Sequence, residues 1–239
     1  MRVSHYEIHA TCKRAFGGLG FPEGVDEDAA HMVTWSELQG LHGLEHLRIS
    51  LPELDGTSSG RLAPPARRDG VVLLDGGGQS ILATASTALD LATTLASEEG
   101  SVEVILRNCR DQVLAVAMAV SAGRAGYHIR LRWRSGDQIF LCEARNGAHI
   151  SSIPSGDAEP VEAGVLHISV AKAAGEKKTI PEGEPRWSLS AERPRTMLAR
   201  GIDVPDELWA ALQRYGQRML VPATAESRAR GAGGGNANE

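Results

Sequence analysis

The chain has 239 residues, 42% of them hydrophobic, and a formal net charge of −5, so it can build a core in one large domain or two small ones. The acid excess gives no electrostatic reason to hold a phosphate backbone, which argues against nucleic acid as a partner. No stretch approaches the roughly twenty apolar residues of a membrane helix, and Met1 to Tyr6 has no apolar secretory core behind it. The 3 cysteines, Cys12, Cys109 and Cys142, are far apart and form no Cys-x-x-Cys pair, which argues against a disulfide framework or a thiolate metal site. A protein of the reducing cytoplasm is expected, with no metal.

The predicted elements begin with a helix. Ser4-His5-Tyr6-Glu7 has the spacing of a capping box, and the helix it opens runs to Phe16, where Gly17-Gly18-Leu19-Gly20 stops it. A second helix starts near Pro22 and lines Val25, Ala29, Met32, Val33 and Ser36 on one face, until Gly40-Leu41-His42-Gly43 breaks it. Leu44 to Leu51 forms one or two more turns, and Asp55 to Asp69 reads as a surface connection.

From Val71 to Trp133 the pattern alternates. Val71-Val72-Leu73-Leu74-Asp75 is a strand, Ala85 to Ala96 a helix closed by Gly100, and Val102 to Arg107 a second strand. Val113 to Arg124 is a second helix, and Tyr127 to Trp133 a third strand. Such a β-α-β-α-β unit implies a parallel sheet, whose ligands bind beyond the carboxyl ends of the strands, here at Asp75 to Ser80 and Asn108 to Gln112. Gln138 to Glu143 and Ala148 to Ile153 follow as antiparallel strands, then Gly164 to Ala171, a polar loop from Ala173 to Pro185, a strand at Arg186 to Leu189 and a helix from Pro205 to Tyr215. The fold class is therefore α/β, with a helical N-terminal section (1–56), an α/β domain (70–220) whose C-terminal extension is mostly antiparallel, and a glycine-rich tail (221–239) read as partly disordered.

Two loops carry candidate chemistry. Asp75-Gly76-Gly77-Gly78-Gln79-Ser80 could bring backbone amides to a phosphate, but it lacks the third glycine of Gly-x-Gly-x-x-Gly and any Gly-Lys-Ser/Thr ending, so a plain strand-to-helix turn explains it. Arg107-Asn108-Cys109-Arg110-Asp111-Gln112 packs two guanidinium groups, an amide, a carboxylate and a thiol between a strand and an apolar helix. Arg107, Asn108 and Arg110 are candidates to hold a substrate carboxylate, and Asp111 is a candidate catalytic base or else the helix cap, with Arg110 in solvent. His42 is a second candidate for acid-base work. His42 and His46 are four residues apart, but Gly43 and the missing Glu of His-Glu-x-x-His argue against zinc. Cys109 reads as a buried, inert thiol. Ser227 and Arg228, before the terminal glycines, could close over an anionic ligand.

Two stretches, Arg14 to Gly24 and Leu220 to Gly233, resemble an uncharacterised bacterial family of unknown function. Residues 1–135 also resemble, more distantly, the non-Rossmann malate/L-lactate dehydrogenases, a family that includes ureidoglycolate and sulfolactate dehydrogenases and cyclic-imine reductases. The resemblance rests on the paired N-terminal helices, Glu37-Leu38-Gln39-Gly40, His42-Gly43, Leu74-Asp75-Gly76 and the Arg107-Asn108 loop. It implies a homodimer, a small carboxylate substrate and NAD(P)H. His42-Gly43 matches the family's Ser-His-Gly stretch with two residues missing before it, the second histidine of the family falls on Asp111, and the later nicotinamide-binding segment has no counterpart. The cofactor is accordingly unknown. The expectation is an enzyme acting on a keto, hydroxy, amino or imino acid, by NAD(P)H redox chemistry or as a cofactor-independent isomerase, lyase or cyclase. A non-catalytic ligand-binding or partner protein is the alternative.

Overall fold

The computed structural model describes residues 1–57, 61–145, 147–157, 159–172 and 183–220. Helix α1 (His5–Gly18) opens on the expected capping box: Glu7 N donates to Ser4 Oγ at 3.2 Å, and Ser4 N donates to the Glu7 carboxylate at 2.8 Å. Helix α2 (Val25–Leu38) buries Ala29, Met32, Val33 and Ser36. Helix α3 (Gly43–Leu54) is longer than the sequence pattern suggests and carries Pro52 in its last turn. The connection after it ends in a short strand, β2 (Ala66–Arg68), antiparallel to β3 (Val71–Asp75). Helix α4 (Ile81–Glu99), strand β4 (Ser101–Arg107), a helical turn at Gln112–Ala115 and helix α5 (Val116–Arg124) follow, then the strands β5 (Tyr127–Ser135), β6 (Gln138–Ala144) and β7 (Ala148–Pro154).

Strands β8 (Leu166–Lys172) and β9 (Glu184–Ser188) complete a sheet of order β2-β3-β4-β8-β5-β6-β7-β9. The β3–β4 pair is parallel as expected, but β5 is not the neighbour of β4. Strand β8 lies between them, antiparallel to both. The register shows why this order is stable: Val104, Ile168, Leu131, Cys142 and Ile150 form one unbroken apolar row across five strands, all buried against the helices. With period-two alternation, Glu103, His167, Arg130 and Glu143 then project from the other face. The sheet is therefore mixed and mostly antiparallel, within the α/β class read from the sequence.

Helix α4 covers β4 and β8, α5 covers β5 and β6, and α2 packs on both helices from outside. Helix α6 (Glu192–Arg200) has no buried residue. Strand β10 (Ile202–Asp203) pairs with β1 (Arg2–Val3), and α7 (Asp206–Gly216) lies along α1 so closely that a Cβ on Gly18 would sit 1.9 Å from the Tyr215 carbonyl oxygen. The polar loop expected after Ala173 falls largely outside the described residues, as does the tail from Val221.

Candidate functional site

The turn after β3 and the loop after β4 are built as one unit. Gly76 N donates to Arg107 O at 2.8 Å, Gly78 N to Asn108 O at 2.7 Å and Ile81 N to Arg110 O at 2.9 Å, while Arg110 N donates back to Gln79 O at 3.2 Å. A Cβ on Gly76 would stand 2.9 Å from Asn108 O, and Gly77 and Gly78 have φ of 61° and 77°, so the two loops meet this closely because the turn is glycine. Of the remaining amides, Gly77 N goes to Asp75 Oδ1 at 2.8 Å, Gln79 N to Gly76 O at 3.0 Å and Leu82 N to the N-cap Ser80 Oγ at 3.2 Å. The amides of Gly76, Gly77, Gly78 and Gln79, which a phosphate in this turn would need, are thus already donated within the protein.

Among the described residues the loop after β4 holds two of the four non-glycine residues with positive φ, Asn108 (51°) and Asp111 (63°); the others are His42 (53°) and Asp69 (51°). Such backbone costs roughly 1–3 kcal/mol per residue and persists where surrounding contacts enforce it. Here the enforcing contacts are explicit. Asn108 Nδ2 donates to Asp75 Oδ1 at 2.9 Å, and Asp111 accepts from Ser50 Oγ at 2.7 Å on one carboxylate oxygen and from Ser80 Oγ at 2.6 Å on the other. Asp111 stands at the N-cap of the helical turn that follows, but its side chain makes no cap hydrogen bond there. It ties α3 to the start of α4. Arg110 does not simply face solvent: its Nε donates to Gly78 O at 3.0 Å, and its guanidinium pairs with Glu53 of α3. Cys109 is buried, and burial pushes its thiol up to about 12, so it is no nucleophile.

Helix α3 brings its own groups to this loop. Gly43 packs so tightly on α2 that a Cβ would lie 2.0 Å from Val33 O, and Glu37 of α2 accepts from Leu44 N at 3.0 Å, capping the positive end of α3. His46 and Ser50, one turn apart, then face Asp111. Burial holds the His46 imidazole below its ordinary range, against the pull of the Asp111 charge. His42 stands at the N-cap of α3 in a left-handed conformation, makes no side-chain cap hydrogen bond and is exposed.

Of the residues singled out in the sequence, Arg110 and Asp111 meet α3, at Glu53 and Ser50, while Asn108 bonds to Asp75 instead. Arg107 leaves β4 on the other side, in the alternation of Glu103 and Ile105, where its charge acts on His167. Ser227 and Arg228 lie outside the described residues. Ser50 was not among the expected site residues, Ser80 entered only as the end of the glycine turn and His46 only as a weak zinc partner of His42, although the helical spacing from His42 to His46 to Ser50 was there to read. A cavity of about 670 Å³ opens on the sheet face away from the helices, beside the part that Val161 and Val165 cover at Ile139.

The fold is one found in dehydrogenases and reductases of small acids. A dehydrogenase from Sinorhizobium meliloti superposes with a TM-score of 0.66 over 90% of this chain and 99% of that one, at 14% identity. Sulfolactate dehydrogenase from Methanocaldococcus jannaschii gives 0.59 over 90% and 96%, at 11% identity. Δ1-Piperideine-2-carboxylate reductase from Pseudomonas syringae pvar. tomato gives 0.59 over 90% and 99%, at 11% identity. The family described as a protein of unknown function, DUF3726, matches residues 3–75. No curated protein sequence matches.

A nicotinamide dinucleotide, which such a fold implies, must place a diphosphate. Neither of the two places with the residues to try it fits one: the amides of Gly76 to Gln79 are donated within the protein, and the sheet cavity sets Glu103, Glu143, Asp157 and Glu159 against Arg130 and Arg132. No helix among the described residues is long and apolar enough to cross a membrane.

Proposed function

We propose that the protein is an enzyme acting on a small keto, hydroxy, amino or imino acid, at the loops that follow β3 and β4. The observation that carries this reading is the Asp111 carboxylate, on left-handed backbone after β4, locked between Ser50 of α3 and Ser80 at the start of α4, with its charge acting on His46 of α3. Arg110 receives the substrate carboxylate. Its partner Glu53 is 65% exposed, and an exposed pair of this kind contributes only about 0–1 kcal/mol, so a bidentate ligand carboxylate can displace it. His46, held neutral by burial, takes or returns the proton, and Asp111 orients it and stabilises its charged form.

The spent amides of the glycine turn favour the cofactor-independent version, an isomerase, lyase or cyclase. The likeness to dehydrogenases and reductases supports the NAD(P)H version, in which the same groups would serve as acid, base and carboxylate clamp. A homodimer in the cytoplasm is part of the same reading. Once a substrate is in hand, Asp111→Asn should lower kcat at least about a hundredfold with little change in ligand affinity, and Arg110→Ala should weaken affinity. Equal turnover in wild type and Asp111→Asn would contradict the assignment. Binding with no turnover in the wild type would point to a non-catalytic ligand-binding protein.

A further inference from the structure

Helix α3 presents one face to the loop after β4. His46, Ser50 and Glu53 follow one another on it at helical spacing. The Asp111 charge acts on His46, Ser50 Oγ donates to Asp111 Oδ1 at 2.7 Å, and Glu53 pairs with the Arg110 guanidinium. Arg110 Nε is already given to Gly78 O at 3.0 Å, so the donors left for a carboxylate are on the terminal nitrogens, where Glu53 sits. A ligand carboxylate that takes Arg110 therefore takes it from Glu53.

The backbone of Glu53 stays in place through that exchange. Leu54, beside it, is fully buried, and Asp55 is held by Arg218, whose Nη1 donates to Oδ1 at 2.6 Å and Nη2 to Oδ2 at 2.9 Å. Arg218 in turn lies over the Tyr215 ring, 4.6 Å from its centroid. Arg48, the arginine of α3 itself, donates to both oxygens of Glu45, at 2.8 and 2.7 Å. The loop and the α3 face thus set Arg110 against the carboxylates of Asp111 and Glu53. A keto or hydroxy acid adds a further carboxylate and no cation, whereas a zwitterion adds no net charge.

We propose that Glu53 determines the specificity of the acid site and that the substrate is an α-amino acid, bound as its zwitterion. The carboxylate takes the terminal nitrogens of Arg110, and the ammonium group, on the adjacent carbon, donates to the Glu53 carboxylate that this displaces. One ion pair is exchanged for two. A keto or hydroxy acid brings no such cation and leaves Glu53 without a partner beside another negative charge. This selection rests on Arg110 as the carboxylate clamp of the proposed site, and narrows the acids of that reading to one class.

Isothermal titration of the full chain with matched sets varies the head group on a constant skeleton: alanine with pyruvate and lactate, and leucine and phenylalanine each with its own keto and hydroxy analogues. In at least one set the amino acid should bind at least about tenfold more tightly than its keto and hydroxy partners, and Arg110→Ala should abolish that binding. Glu53→Gln keeps the length of the side chain and removes its charge. It should weaken the amino acid at least about tenfold and leave the keto and hydroxy acids unchanged or tighter. Glu45→Gln removes the same charge from another exposed acid of α3 and should change neither. Keto or hydroxy acids that bind through Arg110 as tightly as the amino acid overturn the proposal and leave the acid site standing. So does amino-acid binding that Glu53→Gln leaves unchanged or that Glu45→Gln weakens equally. Binding that survives Arg110→Ala, or no binding in any set up to about 10 mM, overturns the acid site and the proposal with it.

Discussion

Asp111 shows what a single side chain can do to join elements distant in sequence. Its carboxylate takes hydroxyl donors from Ser50, 61 residues away, and from Ser80, 31 residues away, and so fixes where α3 stands relative to the loop after β4. Hydrogen bonds to an ionised acceptor contribute about 1.5–3 kcal/mol each, so Ser50→Ala and Asp111→Asn should be strongly coupled. A double-mutant cycle read by urea unfolding should give an interaction of roughly 1–3 kcal/mol, and additive effects would show that the hydroxyl and carboxylate are not partners in solution. The loop itself was legible: two arginines, an amide and an acid between a strand and an apolar helix announce polar groups in need of partners. The partners were not legible, because a serine in the middle of α3 and a serine capping α4 look the same in sequence whether or not an aspartate from elsewhere sits between them. Arg107 illustrates the converse. It is adjacent in sequence to the site, but strand alternation turns it toward His167 on the far face.

The element that positions the site is α3, and it is held by backbone contact. Gly43 lets it start against Val33 O and Glu37 of α2, and the Glu37 carboxylate caps it. Gly43→Ala would improve intrinsic helix propensity, yet its methyl group has no room, so α3 must lift away from α2. The expected outcome is a loss of stability of about 1–3 kcal/mol or more, together with faster hydrogen exchange through Leu44 to Leu51; an alanine variant as stable as wild type would show that α2 and α3 do not pack this closely. Local signals identified most elements: the capping box at Ser4, the apolar faces of α2 and α4, and Pro205 before α7. Long-range pairing was the harder part. The β-α-β-α-β pattern correctly gives the parallel pair β3–β4, but nothing local tells that β8, some sixty residues further along, will enter between β4 and β5. Helix α6 escaped notice because it has no fully buried residue and only Met197 of it packs, partly buried, against the core.

At the scale of the whole molecule, charge is linked to pH through histidine. His5, His31, His46, His128 and His167 are all held below their ordinary 6.5, with burial the leading cause in each. A group whose pKa is lowered on folding binds more protons when unfolded, so its contribution is fully present above 6.5 and is lost as the pH falls toward the folded value. Carboxylates held down by their partners, such as Glu27 beside Lys13, lose theirs only below about 4.5, and Asp28, pushed up by burial, acts in the opposite sense but also in the acid range. Thermal midpoints should therefore fall between about pH 6.5 and pH 5, and a flat profile across that window would contradict the burial of these imidazoles. Ligand binding gives the most direct test of the central claim, that a small carboxylic acid binds at Arg110 beside Asp111. The measurement is the melting midpoint of wild type and Arg110→Ala, titrated with a panel of α-keto, α-hydroxy, α-amino and cyclic imino acids, with and without NADH or NADPH. The account predicts that at least one acid raises the wild-type midpoint in a concentration-dependent way without added nucleotide, and that Arg110→Ala abolishes the rise. A rise that survives Arg110→Ala, or no rise with any acid, would contradict it.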